Sequence, residues 1–371
     1  MKVVTVVGAR PQFIKAAVVS RAFAAHRQDV QEVLVHTGQH YDANMSDVFF
    51  DELDIPRPTY HLGIGGGSHG QNTGRMIEHI EALLLSEKPD WVLVYGDTDS
   101  TLAAALAASK LHIPVAHVEA GLRSYNRRMP EEINRVLTDH LASLLLVPGE
   151  RASDNLRSEG ITGPRVRVAG DVMYDAALYY RGKARRPTAE ALDALGDDGF
   201  ALCTIHRAEN TDDNVRLQGI LTGLAELPTT VILPLHPRTR SRMAAAGIHF
   251  PGNVKVIDPV GYLEMVWLEA NCRIVLTDSG GVQKEAYFHG KPCITLRDET
   301  EWVELVEMGA NRIVGTSSVA IGQAYEQMLA CEISGAVQPY GKGNAAELVI
   351  AALLNGHAMK SAAGTMVSVG D

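Results

Sequence analysis

Leu276-Thr277-Asp278-Ser279-Gly280-Gly281-Val282-Gln283-Lys284-Glu285-Ala286 reads as a strand running into a helix, and the C-terminal half of the chain is organised around it. Residues 273–276 form an apolar run suited to a buried strand. Asp278 and Ser279 are both good N-caps, and Gln283-Lys284-Glu285-Ala286 continues as helix. The glycine pair lets backbone amides approach a ligand with no Cβ in the way. A helix N-terminus, with its free N–H groups and positive dipole end, suits phosphate, and Glu285 one turn further in suits a ribose hydroxyl pair. An ordinary capped turn explains the same residues equally well.

Outward from this stretch, apolar runs alternate with helical patterns from end to end. Strands are expected at 3–7, 33–36, 91–95, 115–118 and 143–147, then at 201–205, 231–235, 254–257, 273–276 and 293–296. Helices are expected at 71–85, 100–110, 131–142, 215–227 and 319–329. Such alternation is the mark of parallel α/β sheets covered on both faces. The polar, Gly- and Pro-bearing segment 181–198 breaks it, so we expect Rossmann-like domains at 1–180 and 199–354, with a closing helix at 341–354 and a frayed tail at 355–371. Ligands of such folds bind at the carboxyl ends of strands, so two such units are expected to face an interdomain cleft.

With 371 residues, two domains are the default; 46% hydrophobic and 21% charged residues fit a soluble globular chain. A formal charge of −10 argues against nucleic acid and anionic membranes as partners, and no stretch approaches the ~20 apolar residues a span needs. The four cysteines sit singly, as buried thiols of a cytoplasmic protein do, and no HExxH or CxxC spacing suggests zinc. Gly65-Gly66-Gly67-Ser68-His69-Gly70 matches a dinucleotide fingerprint only formally, since no strong strand precedes it; it reads as a loop or lid.

The polar residues gather at strand ends. Arg10 and Lys15 flank Pro11 at the start of the first helix, a poor place for two cations unless an anion is expected. Asp97 and Asp99 follow the 91–95 strand, where a cap explains one acid and a divalent cation on a sugar diphosphate is an alternative for the pair. Glu119 follows another apolar strand, where a charge is costly unless paired or open to a cleft. Glu131 and Glu132 lie in a helix first turn begun by Pro130, which favours acids in any case. Asp97, Glu119 and Glu131 can meet at one cleft, where crowding tunes acids for proton transfer. In the second half, His206-Arg207 and His236-Pro237-Arg238 close successive strands and read as a diphosphate cradle.

Together these motifs resemble the non-hydrolysing UDP-N-acetylglucosamine 2-epimerase family. The resemblance rests on G-A-R-P-x-x-I-K, T-G-Q-H, G-D-T, H-V-E-A-G-L-R, P-E-E-x-N-R, H-R-x-E-N and T-D-S-G-G-x-Q-x-E, in order, over nearly the whole chain. It implies the GT-B architecture, a homodimer, a UDP-sugar substrate and no redox cofactor. Residue by residue, it implies that Ser279, Gly280 and Gly281 hold the diphosphate and Glu285 the ribose, with Arg10 and His206 also on phosphate. Asp97, Glu119 and Glu131 correspond to the family's acid–base group, and Lys15 and Arg135 line the same site.

The departures from the commoner pattern are Ala9, Gln12 and Trp302, the last standing where a ligand-contacting arginine is usual. These, with Asp258-Pro259-Val260-Gly261-Tyr262-Leu263-Glu264-Met265, resemble the subgroup acting on UDP-2,3-diacetamido-2,3-dideoxy-glucuronic acid, an intermediate toward lipopolysaccharide sugars. An acidic sugar wants an extra cation, for which Arg123, Arg127 and Arg128 are the expected sources. Two other classes stay in view: a GT-B glycosyltransferase, which has no need of three acids, and a non-catalytic nucleotide-sugar sensor.

Overall fold

The computed structural model describes residues 1–39, 52–193, 195, 199–235, 237–245, 247–331, 333 and 338–367, with side chains at all of these except 10, 237–238, 245 and 359–367. The chain divides into one unit of Met1–Ala176 with Gln338–Asp371 and a second of Ala177–Val337.

The first unit carries a seven-stranded parallel sheet in the order β3-β2-β1-β4-β5-β6-β7. Its strands are β1 (Lys2–Val7), β2 (Gln31–His36), β3 (Tyr60–His61), β4 (Trp91–Tyr95), β5 (Val115–Val118), β6 (Leu144–Val147) and β7 (Val166–Val168). Thr5 pairs with Leu34 on one side and Leu93 on the other, which places β1 at the centre. Every residue of β4, β5 and β6 is buried, as expected where helices cover both faces. Those helices are α1 (Arg10–Ala25), α2 (His69–Glu87), α3 (Asp99–Lys110), α4 (Pro130–Leu141) and α5 (Glu150–Ser158). Met76, Ile80 and Leu84 of α2 and Ala103, Ala104, Ala107 and Ala108 of α3 close over Val4, Val92 and Val94. Because strand order reverses between β1 and β4, their carboxyl ends open the crevice where doubly wound sheets bind ligands.

The helix α6 (Val172–Arg181) leads into the second unit, a six-stranded parallel sheet of order β10-β9-β8-β11-β12-β13. Here β8 is Phe200–Thr204, β9 Thr230–Pro234, β10 Val254–Ile257, β11 Ile274–Thr277, β12 Cys293–Thr295 and β13 Asn311–Ile313. Its helices are α7 (Glu190–Asp193), α8 (Ala208–Thr211), α9 (Asn214–Ala225), α10 (Pro237–Ala245), α11 (Tyr262–Asn271), α12 (Gly280–Phe288), α13 (Val303–Glu307) and α14 (Ser318–Leu329). Order reverses between β8 and β11, and the opening stretch is the β11–α12 turn.

Three strands escaped the sequence reading. β3, β7 and β13 are two or three residues long, partly exposed, and carry no apolar run. The chain end also differs from expectation. The closing helix α15 (Ala345–Val367) spans much of the expected tail and belongs to the first unit, not to 199–354. Asp175 accepts from the Ala345 and Ala346 amides at 3.0 and 2.8 Å, capping α15, and His26, just past the end of α1, meets Glu347 at 3.0 Å. Within the expected linker, α7 buries Leu192 in the second unit's core. Cys203, Cys272 and Cys293 are buried, whereas Cys331 is exposed, against the expectation of four buried thiols. Among the described residues no helix is long and apolar enough to cross a membrane.

Candidate functional site

The first unit's polar cluster is built on the turns after β1, β4 and β5. Gln12 is fully buried and organises the first: its Oε1 accepts from the Gly8 and Ala9 amides at 2.7 and 3.1 Å, and its Nε2 donates to the Tyr95 carbonyl and Thr101 Oγ1 at 2.8 and 3.0 Å. A glutamate here would lack the donor for Tyr95 and Thr101. Gln12 therefore shapes the β1 and β4 ends rather than reading a ligand. The α1 register it sets carries Lys15 to Glu119, which it meets in a close ion pair.

Glu119 sits in the left-handed region at φ +66°, a strained setting for a residue with a Cβ. The amides of Glu119 and Ala120 both donate to the Leu146 carbonyl, at 3.0 and 3.2 Å. The turn holds the carboxylate back toward β4, where a Cβ on Gly96 would come within 3.3 Å of both Glu119 Oε2 and Lys15 Nζ. Asp97 follows at once. Thr98, not either aspartate, is the N-cap of α3, so capping accounts for neither acid. Asp97 pairs closely with Arg135, while Asp99 is engaged by His69 Nδ1 at 2.8 Å and Asn134 Nδ2 at 3.0 Å.

The structure thus brings Asp97, Glu119, Lys15 and Arg135 together, with cations interleaved among the acids. Glu131 is exposed, one turn before Arg135 on α4. The buried acid of that pair is Glu132, which the sequence reading passed over. It accepts from the Ser124 amide and hydroxyl and the Tyr125 amide, each at 2.9 Å, and from Arg135 at 3.0 Å. No sequence signal separates the two acids, since Glu131 and Glu132 stand i,i+4 and i,i+3 from Arg135. Arg123 is already taken: Asp139 accepts from it at 2.7 Å and Glu159 from two of its nitrogens at 2.6 and 2.8 Å. The expected C6 cation is therefore left to Arg127 and Arg128, both exposed. The stretch Gly65 to Gly70 leads into α2, whose N-cap is Ser68, and does not close a nucleotide-type β–α turn.

In the second unit the reversal point holds a fully buried carboxylate, Asp278. It accepts from the His206 and Arg207 amides and from Asn210 Nδ2, each at 3.1 Å, and lies 3.0 Å from His206 Nδ1. Burial pushes this carboxyl up, but the hydrogen bonds from His206, Arg207 and Asn210 outweigh it and hold it below the usual range. His206 itself is exposed, presented at the strand ends by the acid beneath it. Ser279 caps α12, its Oγ accepting from the Val282 amide at 3.5 Å.

The two glycines differ. A Cβ on Gly280 would come within 2.2 Å of Glu301 Oε1, so a side chain there must displace that carboxylate; at Gly281 the nearest atoms are 3.9 Å away. Glu301, half-buried, accepts from Arg297 at 3.0 Å; burial pushes its carboxyl up, but Arg297 and Arg207 hold it below the usual carboxylate range. Glu285 is buried one turn inside α12. The side chain of Arg10, which opens α1, and the whole of His236 lie outside the described residues. No group of three or more metal-ligating side chains occurs among the described residues.

Comparison with known proteins gives this geometry a context. The family profile described as UDP-N-acetylglucosamine 2-epimerase matches residues 23–354. The chain is 54% identical over 354 residues to a UDP-2,3-diacetamido-2,3-dideoxy-D-glucuronate 2-epimerase of Pseudomonas aeruginosa, covering 94% of this chain and 98% of that one. Of the solved structures, a UDP-GlcNAc 2-epimerase of Methanocaldococcus jannaschii in complex with UDP-GlcNAc and UDP superposes with a TM-score of 0.84 at 44% identity, covering 95% of this chain and 99% of that chain. The UDP-GlcNAc 2-epimerase of Neisseria meningitidis bound to UDP-GlcNAc gives 0.85 at 34% identity, covering 96% and 100%. The two parallel-sheet units thus have the GT-B architecture.

Proposed function

The chain belongs to the UDP-N-acetylglucosamine 2-epimerase family, and from that premise we propose that it inverts C2 of a UDP-2-acetamido sugar, with UDP-2,3-diacetamido-2,3-dideoxy-glucuronic acid as its substrate and the manno epimer as product. The observation that supports the reaction class is the set of paired acids, Glu119 with Lys15 and Asp97 with Arg135, at adjacent strand ends. C2 of such a sugar has no neighbouring carbonyl to acidify it, so direct deprotonation is prohibitive. A carboxylate takes the C2 proton while the C1–O bond breaks and UDP leaves with the bonding pair, giving a glycal. Protonation of C2 from the other face and return of the UDP oxygen to C1 complete the inversion, and no electrons are exchanged with a cofactor.

Departing UDP must be kept, and the second unit offers the means. The α12 N-terminus with Ser279, Gly280 and Gly281 suits the diphosphate and Glu285 the ribose. His206, oriented by Asp278, is assigned to the leaving phosphate, with Arg10 and His236 given the same role. Asp97, Glu119 and Glu131 are assigned proton transfer, with Lys15 and Arg135 lining the sugar. In the reading we favour, the enzyme acts in the cytoplasm as a homodimer, in the supply of O-antigen lipopolysaccharide sugars.

The choice of sugar rests on the 54% identity, against which the UDP-GlcNAc complexes of other relatives favour UDP-N-acetylglucosamine as the second reading. Proton NMR in D2O with each UDP-sugar and no acceptor decides. Deuterium entering C2 of the diacetamido uronate alone supports the proposal, and deuterium in UDP-N-acetylglucosamine alone moves the assignment to the second. Absence of C2 exchange, with transfer only when an acceptor is added, would make the protein a glycosyltransferase instead.

A further inference from the structure

The first unit contains a buried histidine that none of the chemistry above uses. His117 is the third residue of β5, fully enclosed, and both of its ring nitrogens are engaged. Nε2 lies 2.7 Å from the Gly96 carbonyl and Nδ1 lies 2.7 Å from Asp139 Oδ1. Each contact reaches a different part of the acid–base cluster. Gly96 immediately precedes Asp97. His117 is two residues before the strained Glu119. Asp139 lies on α4 one turn after Arg135, on the buried face that also carries Glu132. The other oxygen of Asp139 closes the ring, accepting from the Gly121 amide at 3.1 Å and from Arg123 at 2.7 Å.

We propose that His117 is a positioning residue that donates from both ring nitrogens, locking the Asp97 turn, the Glu119 turn and the α4 helix into one register. The donor count follows from the partners. A carbonyl oxygen can only accept, so Nε2 carries hydrogen. Asp139 accepts from a guanidinium and an amide. With its other oxygen taking those two donors, Oδ1 at 2.7 Å is left to accept from Nδ1 as well. Arg123 is in turn anchored on Glu159, which leaves the network no slack. Glu119 needs such a brace: its left-handed backbone persists only if its surroundings over-determine it. The inference rests on the reading that these acids carry the reaction, since it concerns how they are held.

The test has two arms. In protein labelled with 15N-histidine near neutral pH, the His117 ring, assigned by its disappearance in His117→Asn, is expected to show hydrogen on both nitrogens. A ring with one bare nitrogen overturns the proposal. In steady-state kinetics His117→Asn and Asp139→Asn are expected to lose about a hundredfold in kcat, the scale of an ångström-sized misplacement, while KM and UDP affinity stay within about threefold. A folded variant with unchanged kcat, or one in which KM carries the whole loss, also overturns it. Should neither variant fold, the ring is assigned in the wild type by backbone-to-ring correlation, and that spectrum decides. An inactive wild type whose ring carries both hydrogens removes the proposed reaction and with it the positioning role, whereas an active wild type with a bare nitrogen removes the positioning role alone.

Discussion

The indole N–H of Trp302 donates to the carbonyl of Gly280 at 2.8 Å, at the first residue of α12. Lys284 lies over the same ring at 4.0 Å from its centre, and both side chains are almost wholly buried. Trp302 therefore braces α12 where the commoner pattern has a ligand-contacting arginine. Trp302→Phe keeps most of the packing but removes one of the two donors to this helical carbonyl, a loss of about 0.5–1.5 kcal/mol. We expect urea unfolding to move by that amount and UDP affinity to fall with it. Trp302→Ala also opens a cavity, at about 3–5 kcal/mol.

Substituting the two glycines separates packing from ligand approach. Gly280→Ala drives a methyl into Glu301, which Arg297 holds at 3.0 Å, so both the melting temperature and UDP affinity should fall. Gly281→Ala meets nothing closer than 3.9 Å in the protein, so stability should hold. UDP titration should nonetheless show a loss of about tenfold or more if the Gly281 backbone lies against phosphate. Unchanged UDP affinity in Gly281→Ala would remove this helix end from the diphosphate site.

Glu119→Gln is expected to bind UDP-sugar within about threefold and to lose about 10²–10⁴ in turnover, the range for losing a positioned acid or base. Calorimetry with the UDP-sugar and C2 deuterium exchange measure the two quantities. Full retention of the biological output without turnover would favour the sensor over the enzyme.

The alternation of apolar runs revealed both parallel sheets because buried central strands favour apolar residues: β4, β5 and β10 begin and end where the apolar runs do, although β10 exposes Lys255. The destination of α15 was not legible, since the hydrogen bonds from Ala345 and Ala346 to Asp175 join residues 170 or more positions apart. In the site, motif position pointed to Asp97, Glu119, Lys15 and Arg135, which the structure gathers. Sequence spacing gave Glu131 and Glu132 equal standing, and only the Ser124–Tyr125 loop folded over Glu132 distinguishes them. Gln12 departs from the commoner motif beside Arg10 and Lys15, yet its four hydrogen bonds are all internal.

Acid should weaken the fold through His36. Its ring is fully buried against Phe13 and His61, at centroid distances of 5.0 and 4.4 Å, and burial first, then His61, lowers its pKa to about 4. The unfolded chain takes up the proton near the ordinary value of about 6.5, the folded one only near 4, so His36 leaves stability intact above 6.5. As pH falls from there to about 4, this one group removes up to about 1.4 kcal/mol per pH unit. Urea unfolding at a series of pH values should show a shallower slope for His36→Asn than for wild type across that window; equal slopes count against it.

Selectivity for an acidic sugar is the sharpest test of the substrate assignment. A uronate carries a carboxylate at C6 that UDP-N-acetylglucosamine lacks, and desolvating it without a cation is costly. Arg123 cannot be that cation while Asp139 and Glu159 hold it, and Arg123→Ala should chiefly destabilise the protein by stranding two acids. Arg127 and Arg128 lie exposed on the same loop, between the β5 end and α4. Losing a charge-assisted hydrogen bond costs about 1.5–3 kcal/mol, roughly 10- to 150-fold in kcat/KM. We therefore expect Arg127→Ala or Arg128→Ala to lose that factor on the diacetamido uronate and less than about threefold on a neutral UDP-sugar. If both arginine variants lose activity equally on the two sugars, the carboxylate is not read from this loop.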